Sequence, residues 1–419
     1  MINRPEYLAE LVRFKDKDDL IKIVTGVRRC GKSTLFLLFQ DYLFKKGVFK
    51  EQLLNINLEL ADNSSLLDWQ NLHKYVESHI EANKMNYVFL DEIQLVKDFP
   101  KVINSLRLKK NVDLYVTGSN AYMFSSSMST LLSGRFIEIK MLPLSFKEYM
   151  YVFEGTSNIT LEAKFNDYLV YGSFPQILDF LMFSQTSEIK ELDKKAWHSY
   201  LDSLYNTIIV KDIMARRGIP DFSKLERVIR FMFGNIGSQT SINKISNVIN
   251  NDLKSHPNEK KIHAQTIEKY IDSLTDGYVF YKTTSYYLKG KKRLRSNSKY
   301  YAVDTGLRYF LLGGALQNDM GHILENVVYL ELKRRGYKVE IGKMGDLEID
   351  FVAQLPGCKI EYYQVAQSVI SEDTLTRELT PLLSIKDSYP KYLLTRDYSN
   401  NIYKGIQHIN IINWLLGKE

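Results

Sequence analysis

The segment that most constrains the fold lies near the start of the chain, where Gly26-Val-Arg-Arg-Cys-Gly-Lys-Ser-Thr34 follows an apolar run at residues 20–24. Two glycines at this spacing let the backbone turn tightly and direct successive N–H groups at the phosphates of a nucleotide. A helix that begins here adds the positive end of its dipole. Because an amphipathic stretch follows at residues 35–39, the segment predicts a strand, a phosphate-binding loop and a helix.

Each side chain of this loop has an expected task. Lys32 can reach the β and γ oxygens of ATP, and the hydroxyl of Ser33 is placed to hold Mg²⁺. ATP and Mg²⁺ are therefore the predicted cofactors. The residues expected to contact them in the loop and the first helical turn are Gly26, Arg29, Cys30, Gly31, Lys32, Ser33 and Thr34.

Short apolar runs alternate with longer amphipathic stretches from residue 20 to about residue 151, which is typical of an α/β fold with a parallel sheet. The predicted strands are residues 21–25, 53–57, 87–90, 114–117 and 136–139. The third strand runs directly into Asp91 and Glu92. Ligands bind at this edge of such a sheet, so we expect Asp91 to hold Mg²⁺ and Glu92 to orient or deprotonate the attacking water. Without the phosphate loop, the same pair would be read as a solvated strand end.

Two further residues are candidates for the hydrolytic step. Asn120 follows the strand at 114–117 and could contact the γ-phosphate or the lytic water, although Ser-Asn is also ordinary turn chemistry. Arg135 precedes the strand at 136–139 and could supply positive charge to the transition state, in its own subunit or in a neighbour. A simple surface arginine is the alternative for Arg135.

Together these residues, with Gly134-Arg-Phe and the stretch from Leu142 to Tyr149, resemble the AAA+ ATPases. More narrowly, the chain resembles the prokaryotic branch in which the ATPase precedes a conserved C-terminal domain of unknown function. The resemblance implies an ASCE sheet, in which the strand at 114–117 lies between those bearing the phosphate loop and Asp91. It also implies that Asn120 acts like sensor 1 and that Arg135 is an arginine finger. For a second sensor arginine it offers only Arg216 or Arg217.

A chain of 419 residues predicts several domains, and a composition that is 45% hydrophobic and 25% charged excludes general disorder or a fibrous protein. No stretch resembles a signal peptide or a membrane span, and the two cysteines indicate a reduced interior. We therefore expect a cytoplasmic protein without a membrane partner. The predicted domains are an ATPase at 1–155, a helical lid at 156–219, a winged helix at 220–304 and a nuclease-like α/β domain at 305–419.

The predicted winged helix rests on three helical segments followed by paired strands. If it binds DNA, Gln265, Thr266 and Lys269 would face the major groove. Seven basic and no acidic residues between Tyr278 and Tyr301 would follow the phosphates, or would form a solvated hairpin. They are Lys282, Lys289, Lys291, Lys292, Arg293, Arg295 and Lys299. The link at 250–263 is longer than that of an ordinary helix-turn-helix, so docking of a protein is the alternative.

The last domain shows the pattern of a PD-(D/E)XK nuclease, with Glu325 on a helix and Asp350 on a strand. The next strand should end in Glu-x-Lys, but Gln364 and Ala366 occupy those positions. Because the cation that stabilises the pentavalent charge is missing there, the pattern predicts a nuclease-like fold without nuclease activity. Glu325 and Asp350 are expected to be structural or to bind metal weakly.

These features favour a Mg²⁺-dependent ATPase that couples nucleotide state to engagement of DNA or a protein partner through residues 220–304. An ATP-regulated nuclease and a slow ATP-dependent switch are the alternatives. If Arg135 acts on a neighbouring subunit, the protein forms a homo-oligomer.

Overall fold

The computed structural model describes most of the chain: residues 2–120, 134–153, 160–186, 190–252, 261–288, 292–314, 319–398 and 400–418. The chain divides into two compact units. The first unit comprises residues 1–143 with 276–278, and the second comprises residues 144–275 with 279–419.

A sheet of five parallel strands forms the centre of the first unit. The strands are β1 (Ile21–Thr25), β2 (Leu53–Asn57), β3 (Asn86–Asp91), β4 (Val112–Gly118) and β5 (Phe136–Lys140). Their order across the sheet is β2-β3-β4-β1-β5. Since β4 lies between β1 and β3, the expected sheet order is confirmed.

Helices cover both faces of this sheet, which explains why β1, β3 and β4 are buried along their whole length. The helices are α1 (Pro5–Arg13), α2 (Lys32–Lys45), α3 (Trp69–His79) and α4 (Phe99–Arg107). Successive side chains of β3 and β4 project from opposite faces of the sheet. On one face Phe89 stacks on Tyr115, with ring centroids 5.0 Å apart, and Phe36 of α2 packs on Phe89. On the other face Leu90 and Val116 join an aliphatic cluster with residues of α3 and α4.

The second unit begins with a helical region where one was predicted. Its helices are α5 (Phe146–Tyr151), α6 (Leu161–Tyr171), α7 (Ile177–Thr186), α8 (Lys190–Asn206), a π-helix (Thr207–Met214) and α9 (Ala215–Arg217). Three further helices and an antiparallel hairpin follow, in the element order expected for a winged helix. They are α10 (Phe222–Gly234), α11 (Ile242–Asp252), α12 (Ala264–Asp276), β6 (Phe280–Tyr287) and β7 (Lys292–Ala302).

The remaining strands extend this hairpin into an eight-stranded sheet. They are β8 (Lys338–Met344), β9 (Leu347–Gln354), β10 (Ile360–Val365), β11 (Lys391–Thr395), β12 (Ile402–Tyr403) and β13 (Ile406–Asn410). The helices of this region are α13 (Thr305–Leu311), α14 (Met320–Arg334), α15 (Glu372–Leu383) and α16 (Ile411–Leu416).

The strand order of this mixed sheet is β12-β13-β11-β10-β9-β8-β6-β7. Because β6 pairs in parallel with β8, the hairpin and the C-terminal strands share one sheet. The predicted boundary at residue 304 therefore does not separate two sheets. Among the described helices, none has the length and apolar character needed to cross a membrane.

Candidate functional site

The phosphate-binding loop connects β1 to α2 at the C-terminal edge of the parallel sheet. Gly26 opens the loop with φ of 150°, and a Cβ on it would lie 2.2 Å from the carbonyl oxygen of Met141, so only glycine fits. Gly31 caps α2. Arg4 is buried and donates from Nη1 to the carbonyl of Cys30 at 3.0 Å, which ties the loop to the N-terminal segment. Burial raises the pKa of the Cys30 thiol, so this cysteine is a neutral packing residue.

Lys32 is buried with its ammonium directed back into the loop. Its Nζ donates to the carbonyl oxygens of Gly26 at 3.0 Å and Val27 at 3.1 Å, and it lies 3.8 Å from Glu92 Oε1. A buried ammonium requires such partners. The cation is therefore held where the phosphates of a nucleotide would approach the loop.

Asp91 ends β3 beside the start of α2, and its carboxylate is hydrogen-bonded to Ser33 and accepts a hydrogen bond from the hydroxyl of Thr117. Burial raises the pKa of Asp91, and the hydrogen bonds from Ser33 and Thr117 oppose that rise. The structure thus brings the two predicted metal ligands, Ser33 and Asp91, together.

Glu92 adopts a left-handed conformation, with φ of 56°, directly after the strand. Its backbone N–H donates to the hydroxyl of Thr117 at 2.8 Å. Its Oε2 accepts hydrogen bonds from the amide of Gln94 and, at 3.3 Å, from the hydroxyl of Ser119. The carboxylate is therefore oriented by two neutral donors, with Lys32 near its other oxygen.

Three residues for which the sequence predicted no role complete the site: Thr117, Ser119 and Gln94. Thr117 and Ser119 lie at the end of β4, which neighbours β3 in the sheet. A signal was present, because polar residues follow the apolar part of this strand. Gln94 carried no comparable signal, since its amide reaches Glu92 only through the short 3₁₀ turn Ile93–Leu95.

Asn120 and Arg135 lie at opposite edges of the parallel sheet. Asn120 is buried two residues after β4 ends. Arg135 precedes β5, and its carbonyl accepts from the N–H of Ile21 at the start of β1. The phosphate-binding loop follows the opposite end of β1. Because β1 has five residues, that end lies about 13 Å from Ile21. Arg135 is exposed and is not brought to Lys32 within this chain.

Arg107, the last residue of α4, is a neighbour of Arg135 that the sequence did not single out. Burial and the positive charge of Arg135 both lower the pKa of Arg107. The two arginines therefore lie near each other at the N-terminal edge of the sheet, where the negative charge of Asp19 also acts on Arg107.

The residues at the loop fit a nucleotide with Mg²⁺. The hydroxyl of Ser33 and the carboxylate of Asp91 are oxygen ligands of the kind that Mg²⁺ prefers. In such sites one or two protein ligands suffice, because phosphates and water fill the other positions. Among the described residues, no group of three His, Cys, Asp or Glu side chains is arranged to hold a metal.

The predicted DNA-contacting residues lie on α12 in the second unit. Gln265 and Lys269 are exposed there and line a cavity of about 290 Å³ with Arg217. Glu268 and Asp272 line the same cavity, so its charges balance. The side chain of Arg216 lies outside the described residues.

One lysine of the basic hairpin, Lys299, does not have the exposed position that the sequence predicted. Lys299 is only 4% exposed and forms ion pairs inside the second unit, so it is not part of a solvated cationic strip. Lys289 and Lys291 lie outside the described residues, as do the side chains of residues 292–297.

The carboxylates of the nuclease-like pattern are engaged in internal contacts. Glu325 of α14 accepts from the hydroxyl of Tyr301 at 2.6 Å, and Asp350 Oδ2 accepts from the N–H of Val365 at 2.8 Å. The amide of Gln364 donates to Glu378 of α15 at 2.9 Å. Ala366 is buried in the apolar cluster of this sheet, where a charged side chain would be costly.

The sheet order, the phosphate loop and the carboxylates at the end of β3 define a P-loop fold of the AAA+ class. Residues 18–150 match the family described as AAA domain. Residues 162–318 match a domain of unknown function (DUF8612).

The chain belongs to the same family as an uncharacterized protein of Haemophilus influenzae, to which it is 37% identical over 419 residues, with 99% of each chain covered. An uncharacterized protein of Methanocaldococcus jannaschii is 27% identical over 344 residues, which cover 79% of this chain and 71% of that protein.

Among solved structures, the ORC2 protein of Aeropyrum pernix in its ADPNP–ADP complexes is similar at 12% identity and a TM-score of 0.42, over 75% of this chain and 93% of that chain. AMPPCP-bound DnaA from Aquifex aeolicus is similar at 12% identity and a TM-score of 0.34, over 64% of this chain and 86% of that chain.

Proposed function

We propose that this protein is a Mg²⁺-dependent ATPase. The observation that carries the proposal is the convergence of Lys32, Ser33, Asp91 and Glu92 at one edge of the parallel sheet. These residues supply the cation, the two metal ligands and the base that phosphoryl transfer to water requires.

From the contacts of each residue we infer the following roles during turnover. The ammonium of Lys32 leaves the carbonyls of Gly26 and Val27 for the β and γ oxygens of ATP. Ser33 and Asp91 would hold Mg²⁺, which would neutralise charge on the phosphates. Glu92 orients a water and accepts its proton as the oxygen attacks the γ-phosphorus and the bond to the β-phosphate oxygen breaks. The departing ADP retains that oxygen.

ATP turnover by purified full-length variants tests the assignment. Lys32→Ala removes the phosphate-binding cation and should weaken ATP binding and abolish turnover. Glu92→Gln keeps the shape of the side chain but removes the base, so it should lower kcat by about 10²- to 10⁴-fold while ATP still binds.

Lys45→Ala is a matched control, because Lys45 is an exposed lysine of the same helix and forms an ion pair with Asp41. It should leave turnover unchanged. Turnover at the wild-type level in Lys32→Ala or Glu92→Gln would contradict the proposal. Tight ATP binding by the wild type without any turnover would instead identify a nucleotide-dependent switch.

We further propose that residues 220–304 engage DNA or a protein partner. The balanced charges around Gln265 and Lys269 favour a protein over the phosphate backbone at this face. ATP turnover with and without duplex DNA across a salt series distinguishes the two. A response to DNA that weakens steeply with salt would assign phosphate contact. No response even at low salt would leave a protein partner.

A further inference from the structure

Arg4, which directly precedes α1, links two separate parts of the first unit through its buried side chain. Its Nη1 donates to the carbonyl oxygen of Cys30 at 3.0 Å, and its Nη2 donates to the carbonyl oxygen of Leu142 at 2.8 Å. Burying a guanidinium is costly unless its N–H groups find acceptors, and these carbonyls supply them. One side chain therefore connects the phosphate-binding loop with the segment that follows β5.

The segment that follows β5 is itself held in place by two further hydrogen bonds. The N–H of Met141 donates to the carbonyl oxygen of Thr25, the last residue of β1, at 2.7 Å. The N–H of Leu142 donates to the hydroxyl of Tyr7 on α1 at 3.0 Å. The guanidinium of Arg4 also lies over the ring of Tyr7, 4.8 Å from its centroid. Arg4 therefore attaches the loop to a segment that β1 and α1 already fix.

The hydrogen bond from Arg4 to Cys30 also sets the direction of the next N–H group. The carbonyl of Cys30 and the N–H of Gly31 belong to one peptide unit, which is planar and trans. In such a unit the C=O and N–H bonds point in opposite directions. Because Arg4 binds the carbonyl, the N–H of Gly31 is directed away from Arg4, where the loop meets α2. N–H groups at this position of a phosphate-binding loop face the phosphates of a nucleotide.

We propose that Arg4 is a positioning residue for the phosphates of ATP: it holds the peptide between Cys30 and Gly31 in the binding direction before the nucleotide arrives. This role rests on nucleotide binding at the loop, as in the proposed function. A preformed group binds its ligand without the free-energy cost of ordering. Loss of Arg4 should therefore weaken nucleotide binding, whereas the hydrolytic step, which depends on Asp91 and Glu92, should change much less.

Equilibrium titration with Mg-ADP tests this role in the full-length protein, because ADP carries the β-phosphate and its binding needs no hydrolysis. Arg4→Met keeps an unbranched side chain but removes the N–H donors, so it should weaken ADP binding about ten- to a hundredfold. At saturating Mg-ATP, kcat should fall less than about threefold, because an interaction lost equally from ground state and transition state raises KM and leaves kcat unchanged.

Arg4→Lys keeps the charge but loses the planar fork that reaches two carbonyls at once. It should bind ADP more tightly than Arg4→Met and more weakly than the wild type. Wild-type affinity in Arg4→Lys would show that charge alone suffices and would overturn the proposal. If Arg4→Met does not fold, the comparison of Arg4→Lys with the wild type decides the matter by the same criterion.

Leu11→Ala is the matched control for lost stability. Leu11 is a buried apolar residue of α1, so this variant loosens the same helix but leaves the side chain of Arg4 intact. Its ADP affinity should equal that of the wild type. A loss as large as that of Arg4→Met would overturn the proposal, and so would unchanged ADP binding in Arg4→Met.

The wild type separates failure of this role from failure of the proposed function. ADP binding without any ATP turnover would refute only the ATPase, and the ADP titrations would still decide the role of Arg4. A wild-type protein that binds neither ADP nor ATP would refute both.

Discussion

Thr117 joins the two carboxylates of the phosphate site through a single hydroxyl group. That hydroxyl donates to Asp91 and accepts from the backbone N–H of Glu92 at 2.8 Å. A hydroxyl is the one small side-chain group that can do both at once. It therefore holds the predicted metal ligand and the predicted base in a set relation, although it contacts neither reacting atom.

Replacing Thr117 by valine keeps the volume and removes both hydrogen bonds. We expect kcat for ATP to fall about ten- to a hundredfold, because a small displacement of Glu92 misplaces the attacking water. ATP binding, measured by equilibrium titration, should change little, since Lys32 and the loop are untouched.

Thr25→Val provides the comparison for this prediction. Thr25 is also buried at a strand end, but its hydroxyl donates to Glu138 at 2.8 Å and not to the carboxylates of the site. Equal losses of kcat in the two variants would show that Thr117 matters only for packing.

Two short segments of the second unit lock together where α6 ends and α13 begins. Asp304 caps α13 by accepting from the N–H of Leu307, and it also accepts from the N–H of Ser173 at 2.6 Å and from its hydroxyl at 2.8 Å. Gly306 lies against the end of α6, and a Cβ there would be 2.2 Å from the carbonyl oxygen of Tyr171. The start of α13 therefore packs against the segment that follows Tyr171 at the end of α6.

Gly306→Ala should destabilise this junction strongly, because backbone atoms of both segments would have to separate. We expect a loss of about 3 kcal/mol or more in the free energy of unfolding of this unit, measured by urea denaturation.

Gly321→Ala tests whether the loss of stability comes from the junction between α6 and α13. Gly321 is also helical, but a Cβ there meets open space, so alanine should be neutral or stabilise α14 by about 0.5–1 kcal/mol. Similar unfolding curves for the two variants would refute the proposed junction.

At the scale of the whole molecule, the positions of Arg135 and Arg107 keep both arginines away from the phosphate loop of their own chain. Both lie at the edge of the sheet opposite the phosphate loop, separated from it by the length of β1. An arginine that assists the transition state must reach the γ-phosphate. If Arg135 assists hydrolysis, we therefore expect it to act at the site of a second copy in a homo-oligomer.

ATP turnover per chain should consequently rise with protein concentration. Inactive Arg135→Ala chains mixed into wild-type protein should lower the turnover more than in proportion to their share, because each disables a neighbour's site. Arg13→Ala, which changes an exposed arginine of α1, should have no such effect. Turnover per chain that is independent of concentration, with simple dilution by the Arg135→Ala chains, would exclude this role.

The sequence alone determined the local structural features of this protein. The spacing from Gly26 to Thr34 predicted a strand, a loop and a helix, and the structure has β1 ending at Thr25 and α2 beginning at Lys32. Spacing suffices here because the participating groups are only a few bonds apart. The sequence likewise placed Asp91 and Glu92 at the end of a buried strand.

Only the tertiary structure decided which distant groups meet. Thr117 reaches Asp91 because β4 pairs with β3, and Lys299 reaches Glu325 because β7 and α14 pack together. The sequence placed Lys299 on a basic hairpin that would follow phosphates or lie in solvent, and it left the nuclease-like pattern without a cation at Ala366. Strand order and register set these contacts across long stretches of chain, and a one-residue shift in register would turn each side chain to the opposite face.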